Sequence, residues 1–149
     1  MEADARRVAL DRLEPLIGEW TLEAGFAGAP DAESIITRFH WTLDRQYLVQ
    51  RTAIPSPPEA PDSMCIYDVQ GDGYVQHYFD SRGVTRLYAM TFDGATWTMS
   101  RESPDFTPLA FGQRWRATVG PDLVEGTWEI RHKGAEWEKD FDLVYRRVG

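Results

Sequence analysis

Cysteine and histidine are scarce in this chain, and positive charge is outweighed. Its one cysteine, Cys65, cannot close an internal disulfide, so nothing requires an oxidising compartment. The three histidines, His40, His77 and His132, share no ligand spacing with one another or with Cys65, and no metal centre is expected. Lys and Arg number 16 against 24 Asp and Glu, a formal charge of −8. Nucleic acid and anionic membrane both select basic surfaces, so neither is expected as a partner. No apolar run approaches membrane-spanning length, and Glu2, Asp4, Asp11 and Glu14 interrupt the first seventeen residues too often for a secretory signal. A cytoplasmic protein follows as the expectation. No nucleophile elbow, phosphate loop or dinucleotide fingerprint is present, which leaves hydrolase and nucleotide-dependent chemistry without a sequence handle.

What the chain does have is aromatic bulk: six Trp, six Tyr and seven Phe in 149 residues, enough to fill the core of one domain spanning 1–149. Asp4 is placed to cap a helix over 5–14, with Ala5, Val8, Ala9, Leu13 and Leu16 near one face and Pro15 as its stop. From Trp20 onward the pattern is β. Residues 34–43 alternate Ile35, Thr37, Phe39 and Trp41 against Ile36, Arg38 and His40, and Asp44-Arg45 reads as the turn into a strand over 46–53. Turn signals then recur at 70–73, 81–83, 93–94, 120–122 and 133–134. They bound strands at 63–69, 74–80, 84–92, 96–101, 112–119, 123–131 and 136–146. The intervals 25–30, 55–61 and 102–111 read as loops, the proline-rich second one as a rim loop or lid. About ten hairpin-linked strands with no room for helical crossovers predict an all-β fold: an antiparallel up-and-down β-barrel behind a short N-terminal helix, closed so that no edge is left unpaired.

Gly18-Glu19-Trp20 at the head of the first strand, together with Tyr145-Arg146-Arg147 at the end of the last, resembles the calycin superfamily of lipocalins and fatty-acid-binding proteins. That resemblance implies that Trp20 crosses the closed end of the barrel beneath an arginine, Arg147 first and Arg146 as the alternative. The stretches 78–84, 86–88 and 137–143 are further similar to bacterial calycin-like domains of unknown function. The chain resembles the nitrobindin-like haem proteins more distantly, and their glycine-rich segment ending in Tyr-Pro is replaced here by 21–30.

Candidate binding residues follow from the strand faces. Val84, Arg86, Tyr88, Met90 and Phe92 share the bulkier face of one strand, with Trp97, Met99 and Arg101 as the matching set on the next. Arg86, Tyr88, Trp97, Met99 and Arg101 are therefore expected to line a cavity, with Trp41 and His77 as additions. A guanidinium inside an apolar barrel needs a partner, which is either an internal acid or the carboxylate of a ligand, as the fatty-acid-binding resemblance suggests. Glu136, Glu138, Asp140 and Asp142, opposite Trp137, Phe141 and Leu143, read as a solvated outer face. Three functional readings result. The first is a non-enzymatic carrier or sensor for a small apolar or amphipathic molecule, with no cofactor. The second is an enzyme, either haem-dependent through His77 or a small isomerase or cyclase using Tyr88 and His77 as acid and base. The third is a domain that acts through its outer surface as a homodimer.

Overall fold

In the computed structural model, residues 3–24, 35–55, 60–102 and 111–148 are described. The segments at 25–34, 56–59 and 103–110, which hold most of the expected loops, lie outside them. Helix α1 spans Ala3–Asp11 and a 3-10 turn Glu14–Leu16. Ten strands follow: β1 Gly18–Ala24, β2 Ile35–Thr42, β3 Tyr47–Ala53, β4 Ser63–Gln70, β5 Gly73–Asp80, β6 Thr85–Phe92, β7 Thr96–Arg101, β8 Phe111–Val119, β9 Leu123–His132 and β10 Glu138–Arg147. Each pairs antiparallel with its neighbours in sequence, and β1 pairs with β10 to close the barrel. Closure removes every edge, as the run of hairpins predicts.

The N-terminal helix is shorter than expected, and its buried stripe matches the expected face at Ala9, Leu13 and Leu16 but departs from it at Ala5 and Val8. It ends at Asp11 because Leu13 bonds to the Leu10 carbonyl three residues back, tightening the chain before Pro15 can break it. Leu10, Leu13 and Leu16, at that three-residue spacing, are the buried residues, whereas Val8 is 59% exposed. Asp4 lies in the first turn of α1, where its charge suits the positive end of the helix dipole. The β2–β3 connection is also longer than two residues: Leu43, Asp44 and Arg45 all hold positive φ (50, 58 and 64°), a costly backbone for non-glycine residues. Arg45 secures it through Asp11 and Glu14, each at 2.9 Å, and by lying 4.6 Å over the Trp41 ring.

At the closed end, Trp20 is wholly buried and donates from Nε1 to the Leu16 carbonyl at 2.9 Å. The Arg147 guanidinium lies 4.1 Å over its ring and donates to the carbonyls of Pro15, Ile17 and Pro121. Arg146 points outward to Glu23 instead, at 2.8 Å. Gly18 now has a reason: its φ is +125°, and a Cβ there would sit 2.7 Å from Arg147 Nη1. Above this floor, Phe39, Tyr67, Trp97, Trp115 and Tyr145 pack ring against ring at 5.6–6.4 Å. The register shifts between Lys139 and Phe141, which brings Phe141 opposite Trp128 on the inside while Trp137 lies outside between Arg114 and Arg131, at 4.2 and 4.8 Å. Trp137 and Phe141, expected on one face, are thus separated.

Two substitutions test this closure. Trp20→Ala should lower stability by about 3–5 kcal/mol, the cost of truncating a large core aromatic, and Gly18→Ala should also destabilise through its strained φ and its collision with Arg147. Urea midpoints for both variants, with an unchanged slope, check it.

Candidate functional site

The half of the barrel away from Trp20 holds a cavity of about 230 Å³. Its lining is divided by strand. From β3 to β6 the inward positions carry Gln50, Thr52, Ser63, Cys65, Gln76, Tyr78 and Arg86, almost all polar. From β8 through β10 and on to β1 and β2 they carry mainly Trp115, Trp128, Phe141, Leu143, Leu22 and Ile35, with the polar ends of Gln113 and Tyr145 among them. The period-two alternation of each strand brings these residues inward, and barrel closure sets the two arcs facing one another.

The polar arc is hydrogen-bonded from below. Gln50 and Gln76 are 5% and 4% exposed, so their carboxamides need partners. Tyr67 supplies both: its hydroxyl donates to Gln50 Oε1 at 2.5 Å and accepts from Gln76 Nε2 at 2.8 Å. Gln50 Nε2 in turn donates to Thr37 Oγ1 at 3.0 Å and to the Tyr145 hydroxyl at 3.3 Å. Gln76 Oε1 and the Tyr145 hydroxyl proton have no further partner among the described residues. Nearer the mouth, Gln113 Oε1 accepts from the Tyr88 hydroxyl at 2.9 Å and from Arg101 Nε at 2.7 Å, with the Arg101 guanidinium 5.8 Å over the Tyr88 ring. Arg86 lies 5.5 Å over the ring of Tyr78, whose hydroxyl donates to Asp80 Oδ2 at 2.8 Å. Burial alone would raise the Asp80 carboxyl, but Arg82 and Tyr78 hold it below its ordinary value.

Burial pushes the phenols of Tyr67, Tyr78, Tyr88 and Tyr145 upward, and the Cys65 thiol up to about 12. They stay protonated near neutrality and act as neutral hydrogen-bonding groups. No carboxylate or imidazole is among the described lining residues, and their one formal charge is Arg86. The described lining residues therefore hold no group poised for proton transfer at neutral pH.

Of the residues expected here, Arg86, Tyr88 and Met99 line the cavity, and Arg101 reaches it through Gln113 and Tyr88. Trp97 does not: it is fully buried below, in edge contact with Phe39 and Trp115. Trp41 lies beyond the floor, where its Nε1 donates to Glu14 Oε2 at 3.2 Å. His77 faces outward, because Gln76 and Tyr78 on either side of it both line the cavity. Tyr88 and His77 cannot then flank one substrate, and no described histidine lines the space to ligate a haem iron. The described lining residues therefore offer that group no imidazole. Gln50, Gln76 and Gln113 were missed, since a glutamine in an alternating strand reads as solvent-facing. Their cross-strand positions relative to Tyr67 and Arg101 become visible only with the register.

Trp97 and Trp115 bury their indole N–H groups without an acceptor among the described residues. The edge-to-face packing of these rings, 5.6 Å apart at 81°, offers at most a weak N–H to π contact. Among the described residues no cluster of His, Cys, Asp and Glu could hold a metal ion, and no helix is long and apolar enough to cross a membrane.

No family model matches the chain, and no curated protein does. Among solved structures it is similar to the crystal structure of Rv2717c from M. tuberculosis, with a TM-score of 0.66 and 16% identity over 95% of this chain and 98% of that one. At that identity the likeness shows a shared barrel fold.

The cavity thiol gives a test by pH. An unfolded cysteine ionises near 9.0 and the folded one near 12, so the unfolded state gives up its proton first and stability falls as pH rises through that interval. Buried tyrosines contribute in the same direction, and Cys65→Ala should make the decline shallower in chemical denaturation at pH 8 and 10. At pH 8, iodoacetamide should label Cys65 far more slowly in the native protein than in urea.

Proposed function

We propose that the protein is a non-enzymatic binder, a carrier or sensor, for a small amphipathic molecule carrying an acidic group, and that it is a calycin relative in this respect as well as in shape. The observation that carries the reading is the divided lining: one arc of hydrogen-bonding side chains with Arg86 as its formal charge, facing one arc of rings and aliphatic groups. A purely apolar occupant would leave Gln76 Oε1 and the Tyr145 hydroxyl proton unmatched, and a fully polar one would leave the aromatic arc against water. A molecule with both characters satisfies each wall. Arg86 and Tyr78 stand where an acidic group would be held; Arg86 also interacts within the protein, so the acidic group would share its guanidinium, two of whose N–H groups match the two oxygens of a carboxylate.

The absence of a group titrating near neutrality among the described lining residues favours binding over catalysis. The test is native mass spectrometry of protein purified from its own host, followed by a lipid and metabolite screen. A bound species well below 1 kDa, or screen hits enriched in amphipathic acids, is the expected result. Arg86→Met should weaken acidic hits about tenfold, the worth of a charge-assisted hydrogen bond, while changing uncharged analogues little. A protein that carries nothing and shows no hits would overturn the reading.

A further inference from the structure

The cavity lining constrains the shape of the occupant as well as its polarity. We propose that the molecule bound is flat, an aromatic or heteroaromatic acid lying between the two arcs, and not an alkyl-chain acid; this rests on the binding function proposed above.

Three observations converge on a flat molecule. The volume of about 230 Å³ is below the roughly 300–1,000 Å³ of ordinary small-molecule sites, so the space suits a compact ligand. The apolar wall is built largely of rings: Trp115 and Trp128 lie 5.4 Å apart at 35°, and Tyr88 meets Trp128 edge-on at 5.5 Å. Such a surface rewards another ring, because offset or edge contacts between π systems add attraction beyond the area they cover.

The polar wall supplies the third observation. The Tyr67 bond fixes the Gln76 carboxamide with its N–H directed at the phenol, leaving Oε1 as an acceptor. Tyr145 accepts from Gln50 and keeps its own proton to donate. Both side chains line the cavity and are at least nine-tenths buried. An alkyl chain laid against them would remove water and return no hydrogen bond, which penalises both groups. A ring whose edge carries a donor or acceptor, such as a hydroxyl or ring nitrogen, meets them in its own plane while its face rests on Trp128 and Phe141. The acid group then extends toward Arg86.

The experiment compares two carboxylates of similar size and different shape, 2-naphthoate and decanoate, by titration calorimetry at pH 7 on the intact protein. 2-Naphthoate should bind about tenfold more tightly, equivalent to about 1.4 kcal/mol, and should quench tryptophan emission. Trp128→Leu, confirmed as folded by its thermal transition, should reduce the preference to within about threefold; Phe141→Leu provides the same readout if the first variant does not fold. Decanoate binding as tightly as 2-naphthoate, or more so, overturns the flat-ligand inference and leaves the binder itself standing. Failure of both acids to bind also overturns the inference, and native mass spectrometry then decides separately whether the cavity carries any ligand.

Discussion

A guanidinium laid on an indole fixes this barrel. Arg147 covers Trp20 and at the same time binds three carbonyls from the segments that reach the floor, so it joins the end of β10 to the start of β1 where the sheet must close. A cation stacked on a desolvated tryptophan contributes on the order of 2 kcal/mol, and its hydrogen bonds to carbonyls add to that. Its larger effect is geometric. With Trp20 set opposite Arg147, the pairing of β1 with β10 and β2 is fixed, and a slip by one residue would turn every inward side chain outward. The glycine at 18 exists because the guanidinium occupies the volume a side chain would need.

The cavity inherits its two-sided character from that register. Inward positions from Gln50 to Arg86 fall on four consecutive strands, so the polar groups form one continuous arc and can bond to one another. Scattered around the barrel, Gln50 and Gln76 would each need a separate buried partner. Side by side, they share a single phenol, Tyr67, whose one hydroxyl donates to the first and accepts from the second. Buried polar groups are costly when incompletely matched, and this network matches nearly all of its members while leaving two atoms directed to the space above. The same contiguity leaves the opposite arc free to be aromatic.

Most of the fold was legible in the sequence because hairpin turns are local. Gly-Asp-Gly at 71–73 and Asp93-Gly94 announce themselves without any knowledge of tertiary structure, and so does the alternation of Arg86, Tyr88 and Met90 with Leu87 and Ala89. The site was legible only where one face was clearly bulkier. In β5, Val75, His77 and Phe79 compete with Tyr74, Gln76 and Tyr78, so periodicity has no preference, and only the pairing of Gln76 with Tyr67 settles which set turns inward. In β10 the shift between Lys139 and Phe141 inserts one residue into the count, which moves Trp137 outside although strict alternation places it with Phe141. Helix α1 shows the same limit on another scale: a 3.6-residue period selects Val8, whereas tightening toward the 3-10 turn buries Leu10, Leu13 and Leu16.

Charge separates the inside of the molecule from the outside. The chain carries −8 overall, and several acids on its strands pair with neighbours on the outer surface, as Glu129 does with Arg114, Asp142 with Lys139 and Glu23 with Arg146. The lining described here contains no acid and one arginine. An anion approaching the barrel is repelled at long range by the net charge, a field that salt screens over about 10 Å at 0.1 M. On the binding reading proposed above, an acidic group held at Arg86, which is half-buried beside Tyr78, would be screened less than the repulsion at the surface.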